Sequence, residues 1–315
     1  MIRASYFDNK TYKLLAHKHR GFYSFSSNDS PSMPLLIKIL RFSGRLLSWV
    51  CALIILGIIW AYLIEPNLLF VREVNYHVPQ WKGQGKPIKI VVAGDFHLMP
   101  TPFEEVRALR YVQRIMQLHP DLILLVGDYA RGQTPNGSMD PTTAANLLKG
   151  LKAPYGVFAI QGNHDFVFGW PNWRKELNKA GITVLENQSK LITFSDGRQL
   201  QISGLLDADR FSKKQLPKRL SADIPHFLLS HHPETDHILT QGDVDIIISG
   251  HTHGGQICLP FNLSLFEEQQ QYARLYTYPW HTSGNNTYLI TKGLGTSTLP
   301  FRINCPPEIY LLELN

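Results

Sequence analysis

The chain has 315 residues, enough for one large α/β domain with an appendage and an ample core. Its formal charge is +6, yet residues 1–45 alone set eight Lys or Arg (Arg3, Lys10, Lys13, Lys18, Arg20, Lys38, Arg41 and Arg45) against Asp8 and Asp29. That basic arm holds the whole excess, so residues 46–315 balance and the basic pI is no sign of nucleic-acid binding by the main domain.

The arm is Ser-rich, dotted with aromatics and without sustained periodicity until Leu35, as expected of a segment that does not pack. Residues 46–64 follow, LLSWVCALIILGIIWAYLI, a run without one charge. As a helix it would span roughly 28 Å, close to the ~30 Å of a hydrocarbon core. Trp49, Trp60 and Tyr62 lie towards its ends, where amphipathic rings favour the interface. The expectation is one transmembrane helix. A buried core helix is usually shorter and carries a polar face. A cleaved signal sequence has a shorter apolar run and a small-x-small site, which Ile64-Glu65-Pro66 does not supply. Positive charge before the helix keeps the N-terminus in the cytoplasm and puts the main domain on the far side. A long downstream domain weakens that rule, and monotopic attachment is an alternative. Cys51 lies in the apolar run, which leaves Cys258 and Cys305 as a pair the sequence does not force to bond.

Residues 65–87, with Pro66, Pro79, Gly83, Gly85 and Pro87, read as a connector, and the main domain as 88–315. IKIVVAG (88–94) is a buried strand. Thr101-Pro102-Phe103-Glu104 then supplies an N-cap, a first-turn proline and a capping-box glutamate for a helix bearing Val106, Leu109, Val112 and Met116. LILLV (122–126) is a second strand, 141–151 a helix, VFAI (157–160) a third strand and 172–180 a helix that stops at Gly181. ITVL, KLITF and QLQIS follow as strands, with Ser195-Asp196-Gly197-Arg198 as a hairpin turn. HFLLS (226–230), VDIIIS (244–249), TYLIT (287–291) and IYLLEL (309–314) complete the set. So many strands with helices at intervals suggest a four-layer α/β/β/α sandwich, with one mixed α/β sheet as the alternative. Between them, 254–286 is a long aperiodic stretch rich in Tyr, Phe and Leu, read either as an apolar lid or as a packed insertion.

Five short segments each begin where a strand-like run ends: GDFH (Asp95, His97), GDY (Asp128), GNHD (Asn163, His164, Asp165), SHHP (His231 or His232) and GHTHGG (His251, His253). Strand carboxyl ends open onto a common crevice in α/β sheets, so separated segments can meet there. Gly94, Gly127, Gly162 and Gly250 precede four of these side chains, letting the backbone turn and approach closely. Four His nitrogens, two carboxylates and an Asn oxygen suit Mn, Fe, Zn or Co better than Mg or Ca, and no Cys takes part. Seven ligands exceed the needs of one ion, so two divalent metals are expected, a shared carboxylate bridging them.

In this order the motifs D-x-H, G-D, G-N-H-D, a His near Pro and G-H-x-H resemble those of the calcineurin-like metallophosphoesterases, over about Ile88 to Asn315. The strings PDLILLVGDY, AGITVLENQ, GHTHGGQICLP, TKGLG and RINCPPEI are similar to its membrane-associated bacterial branch of YaeI-like phosphodiesterases, whose relatives include a UDP-2,3-diacylglucosamine pyrophosphatase of lipid A synthesis. The resemblance implies one metal on Asp95, His97, Asp128 and His253, and a second on Asp128, Asn163, His231 and His251. Asp128 is then the bridge, and His231 rather than His232 the ligand. It implies that His164 gives a hydrogen bond or proton to the departing oxygen, with Asp165 orienting it. The expected activity is hydrolysis of a phosphodiester or pyrophosphate. The expected setting is a bacterial inner membrane, with the domain outside the cytoplasm and a membrane lipid or lipid-linked substrate as partner. The other readings are a noncatalytic scaffold that keeps the fold and binds a protein, and a nuclease, which the neutral main domain disfavours.

Overall fold

The computed structural model describes residues 34–81, 85–131, 137–207, 212–260, 263–265, 280–283 and 286–315. The chain divides into two compact units, Met1–Ile54 and Ile55–Asn315. Helix α1 (Leu35–Ile59) runs on through a π turn at Trp60–Ile64 and a 3₁₀ turn at Glu65–Asn67. Among the described residues it is the one helix long and apolar enough to cross a membrane, with mean hydropathy 2.4. It starts at Leu35 rather than Leu46. Leu35, Leu36, Ile37, Ile39, Leu40 and Phe42 extend the apolar composition, and no breaker follows Pro34, so the end of the basic arm is helical. The rest of the arm lies outside the described residues.

The second unit is built on two sheets. The first contains β1 (Phe70–Tyr76), β2 (Ile88–Ala93), β3 (Leu122–Leu125), β4 (Val157–Ala159), β5 (Thr183–Val184) and β14 (Glu308–Leu314), in the order β1-β14-β2-β3-β4-β5. The second contains β6 (Gln188–Thr193), β7 (Gln199–Gly204), β8 (His226–Leu229), β9 (Ile246–Ser249), β12 (Trp280–Ser283) and β13 (Asn286–Ile290), in the order β12-β13-β9-β8-β7-β6. A ribbon of β10 (Cys258–Leu259) and β11 (Leu263–Ser264) stands apart. Strands β2, β3, β8 and β9 are largely apolar because both faces are covered, with Lys89, His226 and Ser249 at or near strand ends, and they pair in parallel within their sheets.

Alternate side chains decide the layers. Ile90, Val92, Leu122, Leu124 and Leu312 from the first sheet meet Leu200, Ile202, Phe227, Leu229, Ile246 and Ile248 from the second in one central core. The other face of the first sheet, with Val91, Ala93, Ile123 and Leu125, lies under α2 (Pro102–Met116), α3 (Pro141–Leu148) and α5 (Trp170–Lys179). Thr101 caps α2 by accepting the Glu104 N–H, and Asp140 caps α3 by accepting those of Thr142 and Thr143. The outer face of the second sheet, with Leu228, Ile247, Tyr288 and Ile290, is packed by Leu205, Ile238 and Val244. The expected four-layer order therefore holds, but among the described residues this last layer is made of 3₁₀ turns at Lys213–Gln215 and Pro233–Ile238.

The expected connector at 65–87 is corrected. Phe70–Tyr76 forms β1, paired residue for residue with β14 from Phe70↔Glu308 to Tyr76↔Leu314, and Val78 and Trp81 are buried in the core between the sheets. Proline and glycine at both ends masked a short edge strand whose alternation is weak because Arg72 interrupts one face and Glu73 the other. The expected lid at 254–286 contains β10, β11 and β12, but 261–262, 266–279 and 284–285 lie outside the described residues.

Candidate metal centre

All five segments leave the carboxyl ends of parallel strands: Asp95 and His97 follow β2, Asp128 follows β3, Asn163 and His164 follow β4, His231 follows β8, and His251 and His253 follow β9. Five of these residues have left-handed backbone, with φ of 52° at Asp95, 46° at His97, 54° at Asp128, 66° at His251 and 50° at His253. Non-glycine residues rarely adopt this region, and strain of this kind gathers where side chains must be aimed. Glycines let the strand ends close in. A Cβ on Gly162 would lie 2.1 Å from Asp128 Oδ1, and one on Gly250 would lie 2.3 Å from Asp95 Oδ2.

The side chains form overlapping groups whose ligand atoms lie within 4.8 Å of one another: Asp95, His97 and His253; His97, Asp128 and His164; Asp95, Asp128 and His231; and His231, His232 and His251. Asp128 links them, its Oδ2 being 3.4 Å from His97 Nε2 and 3.2 Å from His231 Nε2. Its Oδ1 accepts the backbone N–H of His164 at 3.0 Å. Asn163 Oδ1 is 3.0 Å from both His231 Nε2 and His251 Nδ1. Asp95 Oδ1 accepts the backbone N–H of His251 at 2.9 Å and lies 3.5 Å from His253 Nε2. His164 is half-buried and stands edge-on to His97, ring centroids 4.8 Å apart.

These atoms fit a divalent cation. His231 Nδ1 lies 2.7 Å from the Val126 carbonyl, to which it donates, so Nε2 points towards Asp128 and Asn163. An imidazole nitrogen, a carboxylate oxygen and an amide oxygen thus converge with no donor among them unless a proton or metal is added. His97 Nε2 and His253 Nε2 face each other at 2.9 Å, and Asp95 Oδ2 is buried without a hydrogen-bond partner among the described residues.

The electrostatics agree. Burial drives the Asp95 carboxyl up to about 7 and the His97 imidazole down to about 3. Burial opposes ionisation of Asp128 too, but His231, His97 and His164 hold it well below the usual carboxylate range. Burial likewise works against a charged His231, yet Asp128, then Asp95 and Asp207, push it up to about 10. His251 and His253 are lowered by burial and by neighbouring histidines. The Asp128 carboxylate is thus held ionised and His97, His251 and His253 are held neutral, while His231 carries a proton that a bound cation would displace.

Asp165 and His232 make contacts that the motif does not specify. Asp165 is fully buried, and its oxygens accept the backbone N–H groups of Asp128, Tyr129, Ala130 and Gly162, each at 2.9 Å. It holds the loops that carry Asp128 and Asn163. His232 stacks on His251 with centroids 3.6 Å apart and gives its Nδ1 to Asp207, while His231 faces Asp128. Arg302 escaped the sequence reading altogether. It is fully buried and donates to the carbonyls of Lys292, Gly293, Gly295 and Cys305, stitching the loop beside Asp95. A lone Arg after Phe301 carries no sequence signal for that. A Cβ on Gly293 would lie 2.4 Å from Asp95 Cβ, so this loop also walls the site.

Comparison with known proteins gives a consistent picture. The sequence model of the family described as calcineurin-like phosphoesterase matches residues 88–255. The metallophosphoesterase YkuE of Bacillus subtilis is 31% identical over 81% of this chain and 88% of its own length. Phosphodiesterase YaeI of Escherichia coli is 30% identical over 82% of this chain and 93% of its own. The UDP-2,3-diacylglucosamine pyrophosphatase LpxG of Chlamydia trachomatis is 28% identical over 85% and 95%.

Proposed function

This chain belongs to the calcineurin-like phosphoesterase family, and from that premise we propose that it is a membrane-anchored phosphohydrolase that opens a phosphodiester or pyrophosphate bond with two divalent metals. The observation that carries the reading is the convergence of Asp95, His97, Asp128, Asn163, His231, His251 and His253 at one strand-end crevice, five of them in left-handed backbone. Divalent ions held there supply positive charge to the phosphoryl oxygens and lower the pKa of a water nucleophile.

The chain's own residues divide the remaining work. Asp95, His97, Asp128 and His253 form one ligand set, and Asp128, Asn163, His231 and His251 the other, with Mn, Fe, Zn or Co fitting the mixed donors. His164, half-buried beside His97, gives a hydrogen bond or proton to the departing oxygen. An alkyl diester needs that help because an alkoxide is a poor leaving group, and a pyrophosphate gains less from it. Asp165 keeps Asp128 and Asn163 in register without touching substrate.

Similarity to LpxG and the apolar helix support a lipid-linked pyrophosphate such as UDP-2,3-diacylglucosamine as substrate. The charge bias supports a domain outside the cytoplasm of an inner membrane, and a reporter fused after Asn315 tests that side. A substrate offered only at the cytoplasmic face would conflict with it. The decisive experiment incubates detergent-solubilised protein and Mn with bis-p-nitrophenyl phosphate and with UDP-diacylglucosamine, using Asp128→Ala and His164→Ala as controls. Undiminished turnover in either variant would overturn the reading. A noncatalytic scaffold would carry substoichiometric metal and turn over neither substrate.

A further inference from the structure

We infer that the outer face of α2 is a second membrane contact, in which Phe103, Val106 and Leu109 enter the bilayer boundary while Arg110 and Arg114 hold an anionic phospholipid headgroup. The inference rests on the membrane-anchored reading of the apolar helix and extends it to the domain.

Three observations carry it. The first is the composition of α2 along its exposed side. Its buried face is spent on Glu104, Ala108, Tyr111, Val112 and Ile115, but Phe103, Val106 and Leu109 remain 55%, 58% and 50% exposed. Beyond them the same side changes to Arg110, Gln113, Arg114 and Gln117. Three large apolar residues followed by two cations make a helix graded along its length, apolar at its start and cationic at its end.

The second is its neighbour. The last turns of the apolar helix are fixed to the domain: Ala61 O accepts the Arg302 N–H at 3.0 Å, the Tyr62 ring meets Phe301 edge-on at 5.7 Å, and Glu65 Oε1 accepts the Cys305 N–H at 2.6 Å. Asn67 to Phe70, where the chain leaves the apolar helix, line a groove with Arg110 and Arg114. The C-terminal half of α2 therefore lies beside the segment by which the chain leaves the apolar helix. The arginines thus lie where the chain emerges from the apolar helix, and Phe103, Val106 and Leu109 precede them on the same exposed side of α2.

The third is the groove itself. It has a volume of about 430 Å³, with Leu68 and Phe70 as its apolar wall and Arg110, Gln113, Arg114 and Gln117 as its donors. Among the described residues neither Arg110 nor Arg114 has a carboxylate partner; Arg114 has only the Gln117 amide oxygen at 3.4 Å. Two unpaired guanidiniums beside apolar walls suit a phosphate that carries acyl chains. A bilayer is the occupant because the groove is continuous with the chain's own apolar helix.

The test uses the full chain in nanodiscs of phosphatidylcholine containing phosphatidylglycerol with a photoactivatable acyl chain, and cross-linked peptides are mapped. Cross-links are expected on peptides of α2 as well as on 46–64. The α2 yield should fall about fivefold for each arginine replaced in Arg110→Glu and Arg114→Glu. Val106→Asp should also lower it. Unchanged hydrolysis of a soluble diester shows that the variants are folded, since none of these residues lies in the metal centre. Cross-links on 46–64 but none on α2 would overturn the inference and leave the anchored reading standing. Cross-links on neither would overturn both. Suppression of α2 cross-links by inorganic phosphate alone would assign the groove to a free anion and overturn the lipid.

Discussion

The carboxylate of Asp165 accepts the backbone N–H of Asp128 at 2.9 Å, so one buried acid positions another. Three further N–H groups fill its remaining lone pairs. In Asp165→Asn the amide nitrogen would face donors instead of accepting them. Metal affinity or turnover should fall about 10- to 100-fold, and metal titration of turnover should show the loss chiefly as weaker metal binding. Wild-type metal dependence in this variant would show that Asp165 does not position the loop.

Metal binding should release a proton. In the metal-free protein His231 is pushed up to about 10, burial opposing the charge and the Asp128 carboxylate overriding it, so the ring is protonated at neutral pH. Ligation needs the Nε2 lone pair, hence the proton leaves. Apparent affinity should then climb up to about tenfold per pH unit until the pH passes that value. The sign follows from a metal-free pKa above the working pH. Calorimetry in buffers of different ionisation heat measures the release, and zero protons displaced would contradict it.

The two histidines of SHHP should separate cleanly. His231→Ala should abolish bound metal and activity, because its Nε2 meets Asp128 and Asn163. His232→Ala should retain metal and lose activity only in part, since its contacts are with Asp207 and the His251 ring. Metal content of the purified variants decides, and the reverse ranking would exchange the two assignments.

Gly162→Ala should cost more than its size suggests. The added methyl would lie 2.1 Å from Asp128 Oδ1 and 2.4 Å from Asp128 N, with no flexible atom to yield. Activity should fall by at least about 100-fold, in line with an ångström-scale displacement of a reacting group. Gly197→Ala, in the hairpin turn with nothing nearby, keeps activity although it too has positive φ and loses some stability.

Arg302→Ala should lower the melting temperature and weaken the loop beside Asp95 together. Its guanidinium satisfies four buried carbonyls, and removal should cost about 3 kcal/mol, within the range for a broken buried network. Arg302→Lys should recover only part, because an ammonium lacks the planar fork. Thermal melting is the check.

Most of the sheets and the meeting of the five segments could be read from the chain, because strands covered on both faces must be continuously apolar and their ends must then carry the polar chemistry. β1 could not, since Arg72 and Glu73 blur its alternation and its partner lies at 308–314. The thin outer layer was illegible for a similar reason: Ile238 and Val244 cover Tyr288 from short turns without a period. Within the site, residue types announced Asp95, His97 and Asp128, but left-handed backbone at those positions has no signature in L-residues. An acid next to His164 suggests an orienting partner, whereas four amides from separate loops claim Asp165, and only tertiary structure brings amides together.

The pairing of β1 with β14 also sets an order of events. During synthesis β1 follows the apolar helix out first, yet its hydrogen-bonding edge stays open until residues 308–314 have been made. Loop closure over nearly the whole domain must precede that pairing, which makes it a slow, late step. An exposed edge held beside a bilayer meanwhile is open to mispairing, so truncations near the C-terminus should aggregate rather than merely lose a strand.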